Sequence, residues 1–272
     1  MYRPLLQSFG ALLVLDADCR RIQATSTNLT RLTGIECPEN GELSLACVLG
    51  KRLSQRVRRE LQGQQRLPGP LAFIRPKHSS VRFQLHAYRE DEQVIVEIEP
   101  LNPLGKRRLL GTVNERLMHL AEATHQEELL DSLVHAIQQL TGYDRVSVCH
   151  FDSDWHGLMV AEAQGEHLPP LLGQRFPAST LRLSYENHPV RLIEDVNAPP
   201  ETLMPACSAT RLSGSFLRAP APERQRYLKR MGVRGSLSLA MQGDTGLWGL
   251  VFCHSASPHS VEPSVRDAVR TL

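Results

Sequence analysis

Length, strand-like alternation, helix-like spacing and an internal break together make the sequence that of an α+β protein of two domains. Its 272 residues suit two domains of ordinary size or one large one. Short segments that alternate apolar and polar residues recur in both halves, at 81–85 (VRFQL), 94–98 (VIVEI) and 145–151 (RVSVCHF), which is the periodicity of a half-buried strand. Longer segments between them, 51–61 and 126–140, carry apolar residues at three- and four-residue spacing, which is the periodicity of a helix. A Pro/Gly-rich break at 100–105 (PLNPLG) separates the halves.

In the first half, the apolar run 11–15 ends at Asp16-Ala17-Asp18, a strand followed by a turn, and 21–25 returns as its partner. Ser26-Thr27-Asn28 offers helix caps ahead of Leu29 and Leu32, and Gly34 stops that short helix. Leu53, Val57 and Leu61 share one face of the next helix, whose arginines form a solvated face. Strands at 71–74, 81–85 and 94–98 follow, with a turn at Glu90-Asp91-Glu92. A strand pair, short helices and then three strands is the element order of a PAS-type sensor domain.

The second half opens with helices at 107–120 and 126–140. The second of these has a wide stripe of Leu129, Leu130, Leu133, Ile137 and Leu140, and Gly142 stops it. Strands are predicted at 145–151, 158–163, 235–241 and 247–254, with a hairpin turn at Gly243-Asp244-Thr245-Gly246 and a final helix over 261–272 that reads as cut short.

The charge balance narrows the function classes. Thirty-one basic residues against 29 acidic ones, interleaved, argue against a nucleic-acid stripe or a polybasic membrane patch. No apolar run approaches a membrane span and no signal-peptide pattern opens the chain, so a cytoplasmic protein is expected. Cys19, Cys37, Cys47, Cys149, Cys207 and Cys253 include no C-x-x-C pair, and His78, His86, His150 and His156 lack metal-ligand spacing, so no metal site is expected. No nucleophile–base pair, phosphate loop or carboxylate dyad presents itself, and the chain is not expected to be an enzyme.

Six stretches of the second half, 142–146 (GYDRV), 151–157 (FDSDWHG), 173–179 (GQRFPAS), 189–193 (PVRLI), 227–233 (YLKRMGV) and 247–254 (LWGLVFCH), occur in the order of the GAF domain of bacterial phytochromes. Residues 6–13 (LQSFGALL) resemble the segment that opens the phytochrome PAS domain. The chain therefore resembles a divergent bacteriophytochrome-like photosensory PAS–GAF module. The resemblance implies an N-terminal segment at 1–9, a PAS domain at 10–100, a linker helix at 101–124 and a GAF domain at 125–272. It also implies a knot, with 1–9 as thread, Leu6 as apolar plug and 194–218 as lasso.

In that family the GAF pocket holds a linear tetrapyrrole, biliverdin in bacterial members, joined to a cysteine upstream of the PAS domain. Only nine residues precede Gly10 here and none is cysteine, so the usual thioether is not expected. Arg191 and Arg218 match the arginines that grip the bilin propionates, a task suited to a guanidinium fork. Ser236 and Ser238 match propionate-binding hydroxyls, and His254 matches the histidine near the last pyrrole ring, on the strand face shared with Trp248 and Phe252. The family's Pro-Ala-Ser-Asp-Ile-Pro motif reads Pro177-Ala178-Ser179-Thr180-Leu181-Arg182, so its aspartate is lost. The histidine beside the pyrrole water falls at Arg224, a permanent cation, and a pocket tyrosine falls at Cys149.

The resemblance implies a sensory module that signals to a C-terminal output domain, works as a homodimer, and holds a bilin weakly and non-covalently or has lost it, with loss preferred. Alternatives are haem or another carboxylate-bearing ligand held through Arg191 and Arg218, a ligand-free scaffold, or redox sensing by the cysteines. Taken singly, each site residue also has a plainer reading. Strand serines satisfy backbone groups, arginines form surface ion pairs, and His254 is a hydrogen-bonded core histidine.

Overall fold

A computed structural model describes residues 4–35, 44–62, 64–65, 69–76, 80–101, 106–178, 189–205, 210–244 and 246–272, without the side chains of 106–108. The chain forms two compact units. The first comprises 1–103 and 198–219, the second 104–197 and 220–272. Among the described residues each unit is built on one antiparallel six-stranded sheet.

The first unit contains β1 (Ala11–Asp16), β2 (Ile22–Ser26), α1 (Leu29–Thr33), α2 (Leu45–Leu49), α3 (Lys51–Glu60), β3 (Ala72–Ile74), β4 (Arg82–Glu90) and β5 (Gln93–Leu101). It also contains β10 (Leu203–Met204), and the sheet order is β10-β2-β1-β5-β4-β3. The uninterrupted apolar run of β1 follows from its place: it pairs with β2 on one side and β5 on the other, and both its faces are covered. Leu13 and Leu15 pack into the core beneath the helices with Leu29, Leu45, Val57 and Leu61. Leu12 and Val14 point the other way, into a second core with Leu6, Tyr88, Ile95, Leu203, Leu212 and Leu217.

That second core depends on two segments without long elements. The Leu6 amide donates to the Glu201 carbonyl at 2.9 Å, and the Glu201 amide donates back at 2.8 Å. On the other side, the Gln7 amide donates to Leu217 at 2.7 Å and the Ala219 amide to Leu5 at 2.9 Å. The Leu6 side chain is thereby held 1% exposed. Glu97 reinforces the same segment: its carboxylate accepts from the Ser215 hydroxyl and from the Phe216 amide at 3.0 Å.

Several local expectations need correction. Asn28 occupies the cap position of α1, but its side chain does not cap; it donates instead to the carbonyls of Gly10 at 2.8 Å and Ser8 at 3.2 Å. β5 continues through Pro100, which pairs with Phe83, so the break begins after Leu101 and 102–105 lie outside the described residues. A proline is tolerated there because β1 pairs with β5 only as far as Ile98, so at Pro100 the strand is paired on one side alone among the described residues.

The second unit contains α4 (Lys106–Glu122), α5 (Gln126–Thr141), β6 (Arg145–Phe151), β7 (Gly157–Gln164), β8 (Arg175–Phe176), β9 (Val190–Ile193), α6 (Pro222–Arg230), β11 (Gly235–Gly243), β12 (Gly246–Ser255) and α7 (Pro263–Val269). The sheet order is β8-β7-β6-β12-β11-β9. Helix α5 lies on β6 and β7 with Leu130, Leu133 and Ile137 buried, whereas Leu129, drawn into the stripe from sequence, is 39% exposed at its rim. Gly142 ends α5 in the left-handed conformation at φ 72°, where a side chain would be strained. α7 is shorter than 261–272: Pro263 fits the first helical turn, where no N–H is needed, and the helix ends at Val269.

Strand β12 has a bulge that changes which residues share a face. Met241 pairs with Gly249 and Gln242 with Leu247, so Trp248 has no partner in the ladder. Leu247 packs with the cluster containing Phe252, while Trp248 lies tilted against His150 with ring centres 4.4 Å apart. Trp248 therefore does not share the face of Phe252 and His254, contrary to the simple alternation read from sequence. Beside the bulge, a methyl on Gly249 would run into the Cys149 carbonyl oxygen, a backbone atom that cannot swing away. Gly249→Ala is expected to cost about 1–3 kcal/mol by overpacking, read as a shifted urea midpoint.

Candidate functional site

The second unit has a narrow, partly open apolar pocket with room for about one water-sized molecule, lined by Met159, Leu171, Phe176, Arg224, Tyr227, Met231, Phe252 and His254. This is far below the roughly 300–1,000 Å³ typical of small-molecule sites. One wall is the sheet, through Met159 on β7 and Phe252 and His254 on β12; the facing wall is α6 and the turn after it. Proline at the start of α6 and glycine just past its end bracket a helix that presents Arg224 and Tyr227, three residues apart, on one side. The Arg224 guanidinium lies 5.6 Å from the Tyr227 ring centre and 5.7 Å from that of Phe252, cation–π distances to both.

Four of the five residues singled out from sequence stand on one stretch of sheet. Ser236 pairs with His254, and Ser238 pairs with Phe252 on one side and Arg191 on the other. Ser236 and Ser238 are buried, Arg191 is half-buried on β9, and His254 is 3% exposed and lines the pocket. The fifth, Arg218, belongs to the first unit, where its carbonyl accepts from the Gln7 side chain at 3.2 Å. Residues 179–182, which carry the altered motif, lie outside the described residues, as do Cys37, Cys207 and His78.

The residue that sequence reading missed is Arg145, at the start of β6 and fully buried. Its guanidinium donates to the His254 Nδ1 at 3.0 Å and to the Pro169 carbonyl, and its Nε lies 3.8 Å from the Glu162 carboxylate. Glu162 in turn accepts from the Ser147 hydroxyl at 2.9 Å and from the amides of Leu171 at 2.9 Å and Leu172 at 3.1 Å. Burial lowers the Arg145 pKa, and Glu162 opposes that shift. Counting back from the hairpin would set Ser147 opposite Ala161; the bulge between Val148 and Cys149 shifts the register so that Ser147 faces Glu162 and Arg145 lies diagonally across from that acid, which the sequence did not show.

An arginine can only donate, so the His254 Nδ1 must accept, and the ring proton belongs on Nε2. That Nε2 is buried and has no hydrogen-bond partner among the described residues, and neither has the Ser236 hydroxyl oxygen across the ladder. Burial, with Arg145 and Arg224 as lesser causes, pushes His254 well below the usual histidine range, so the ring is neutral. The cysteines are of another kind. Cys149 packs in the core cluster with Met159, Leu171 and Phe252, and burial pushes its thiol up to about 12. Cys253 is fully buried and shifted in the same direction for the same reason. Neither supplies a thiolate at neutral pH, which is the species redox sensing requires.

A family model described as PAS fold matches residues 3–101, and one described as GAF domain matches residues 125–272, more than half of the chain. The chain belongs to the GAF domain family, as a phytochrome-like PAS–GAF module. Its architecture is accordingly PAS then GAF, two antiparallel sheets with flanking helices. Among solved structures, the module resembles the chromophore binding domain of Stigmatella aurantiaca phytochrome P1, with a TM-score of 0.86 and 27% identity over 98% of this chain and 92% of that one. Among curated relatives, it is 30% identical to cyanobacterial phytochrome B of a Nostoc species over 98% of this chain. It is 32% identical to the bacteriophytochrome of Pseudomonas aeruginosa over 96% of this chain. The module spans 38% and 37% of the length of those two relatives. No helix among the described residues is long and apolar enough to cross a membrane.

Proposed function

We propose that this PAS–GAF module is the sensory part of a longer bacteriophytochrome-like receptor and that its GAF pocket takes a bilin, such as biliverdin, without a covalent bond. The observation that carries the reading is a pair of buried polar atoms, His254 Nε2 and Ser236 Oγ, that have no hydrogen-bond partner among the described residues, in a unit whose pocket is mostly apolar. Buried polar atoms are nearly always satisfied, so unpaired ones beside a cavity fit a ligand with polar groups on its edge. A bilin has that character: lactam carbonyls and propionates around a conjugated, mostly apolar ring system. When bound, it would supply the absorption of visible light; the protein's part is to hold and orient it.

In this reading His254 Nε2–H donates to a ring carbonyl, Phe252 and Tyr227 cover the ring faces, and Ser236, Ser238 and Arg191 face a propionate. The small volume requires Met159 and Met231 to repack, which their unbranched, flexible side chains allow, and it favours weak binding. The likeness to a phytochrome chromophore binding domain supports a bilin over haem, whose closed macrocycle needs a wider slot. Arg218 remains assigned to a propionate by resemblance alone. The contacts of Leu6 with Glu201 and Leu217 support 1–9 as the thread of a knot. The short share of each relative spanned here supports a C-terminal output region in the whole receptor, and homodimerisation is part of the same reading.

Arg191→Ala tests the propionate assignment. A charge-assisted contact of about 1.5–3 kcal/mol implies roughly a ten- to hundredfold weaker Kd for biliverdin, read by absorbance titration. An unchanged Kd would remove Arg191 from the site.

A further inference from the structure

In the first unit, residues 212–217 pack against the first sheet without joining its ladder. The Ser213 amide donates to the Glu90 carboxylate at 2.8 Å, and the Gly214 amide to the same carboxylate at 3.4 Å. The Ser215 hydroxyl and the Phe216 amide both donate to Glu97, and the Leu217 amide donates to the Ser215 hydroxyl at 3.0 Å. Side chains thus accept from the amides of Ser213, Gly214, Phe216 and Leu217, where a helix or strand would use backbone carbonyls. Such bonds can part without disturbing a ladder.

The sheet is polar where this segment meets it. Its register sets His86 opposite Glu97 and Gln84 opposite Glu99, and all four are buried. The Gln84 side-chain nitrogen lies 2.6 Å from His86 Nε2, and the Phe216 ring meets His86 edge-on with centres 6.2 Å apart. Leu212 and Leu217 pin the two ends of the segment in the core with Leu12, Val14 and Ile95. Between them only Phe216 is large and apolar, so lifting 213–216 exposes one such side chain. Lifting also returns the Glu97 carboxylate to water, which offsets part of that cost.

We propose that 212–217 is a strap whose middle, 213–216, lifts off Glu90 and Glu97 while the sheet stays folded, hydrating the His86–Glu97 pair. The device goes beyond the bilin reading and does not depend on it. The Gln7 side chain donates to the Phe216 and Arg218 carbonyls, each at 3.2 Å. Lifting the strap breaks the first of these bonds, and strap opening is therefore a step that loosens the grip on the N-terminal segment.

Hydrogen exchange of the 272-residue chain in rising, sub-denaturing urea tests this. The Ser213 and Phe216 amides should exchange at least about tenfold faster than those of the β1–β5 ladder. Their rates should barely respond to urea, because little surface opens, whereas ladder rates climb steeply. Ser215→Ala removes one donor from Glu97 and leaves every sheet residue in place. It should speed Phe216 exchange by about ten- to hundredfold, the worth of a hydrogen bond to a charged group, with the ladder unchanged. Equal urea dependence of strap and ladder amides in the unaltered chain would overturn the proposal. Unchanged Phe216 exchange in Ser215→Ala, or acceleration of strap and ladder together, would overturn it as well.

Discussion

Arg145→Met is expected to destabilise the second unit by about 3–5 kcal/mol, the cost typical of removing one partner from a buried ion pair. The side chain is fully buried and holds three groups at once: His254 Nδ1, the Pro169 carbonyl and, at 3.8 Å, the Glu162 carboxylate. Methionine fills much of the volume but leaves Glu162 as a buried charge with only neutral donors. Burial of the guanidinium is itself costly, as the lowered Arg145 pKa records, so the pair contributes less net stability than its removal costs. Urea unfolding measures the effect, and a loss below about 1 kcal/mol would mean the pair is not buried as described. The same variant frees Nδ1 of His254, so the imidazole tautomer should no longer be fixed.

Leu6→Ala is the second large effect, about 2–5 kcal/mol in the first unit, because a buried leucine loses both its transfer energy and the packing around the void. Leu6 lies among Leu12, Val14, Leu203, Leu212 and Leu217, and the backbone hydrogen bonds on both its sides hold the chain in register, which limits collapse into the space. Truncating the exposed neighbour Leu5, 43% accessible, should cost far less. Similar losses for the two variants would argue against Leu6 as the anchor of that core.

The central strands were legible from sequence because both period and punctuation agreed. β4, β5, β6 and β11 carry alternation and end at turn residues, and the six stretches resembling phytochromes located the sheet that holds Ser236, Ser238 and His254. Three kinds of feature were not legible. The bulge at Trp248 depends on ladder pairing, so counting alternate residues along β12 put Trp248 on the wrong face. Asn28 fits a cap by residue type, yet carbonyls from residues 8 and 10 compete successfully for its amide. Arg145 reads in sequence as the polar start of an amphipathic strand; only its partners on β7 and β12, 17 and 109 residues away, make it a buried core of the site. Contacts of that separation leave no periodic trace in a single chain.

Whether the GAF pocket holds a bilin through side chains alone is read by titrating the purified module with biliverdin while recording visible absorbance. A saturable change in the pigment's long-wavelength spectrum is expected, weakened by Arg191→Ala, with the pigment separating from the chain on denaturation. A flat titration at pigment in large excess would contradict it.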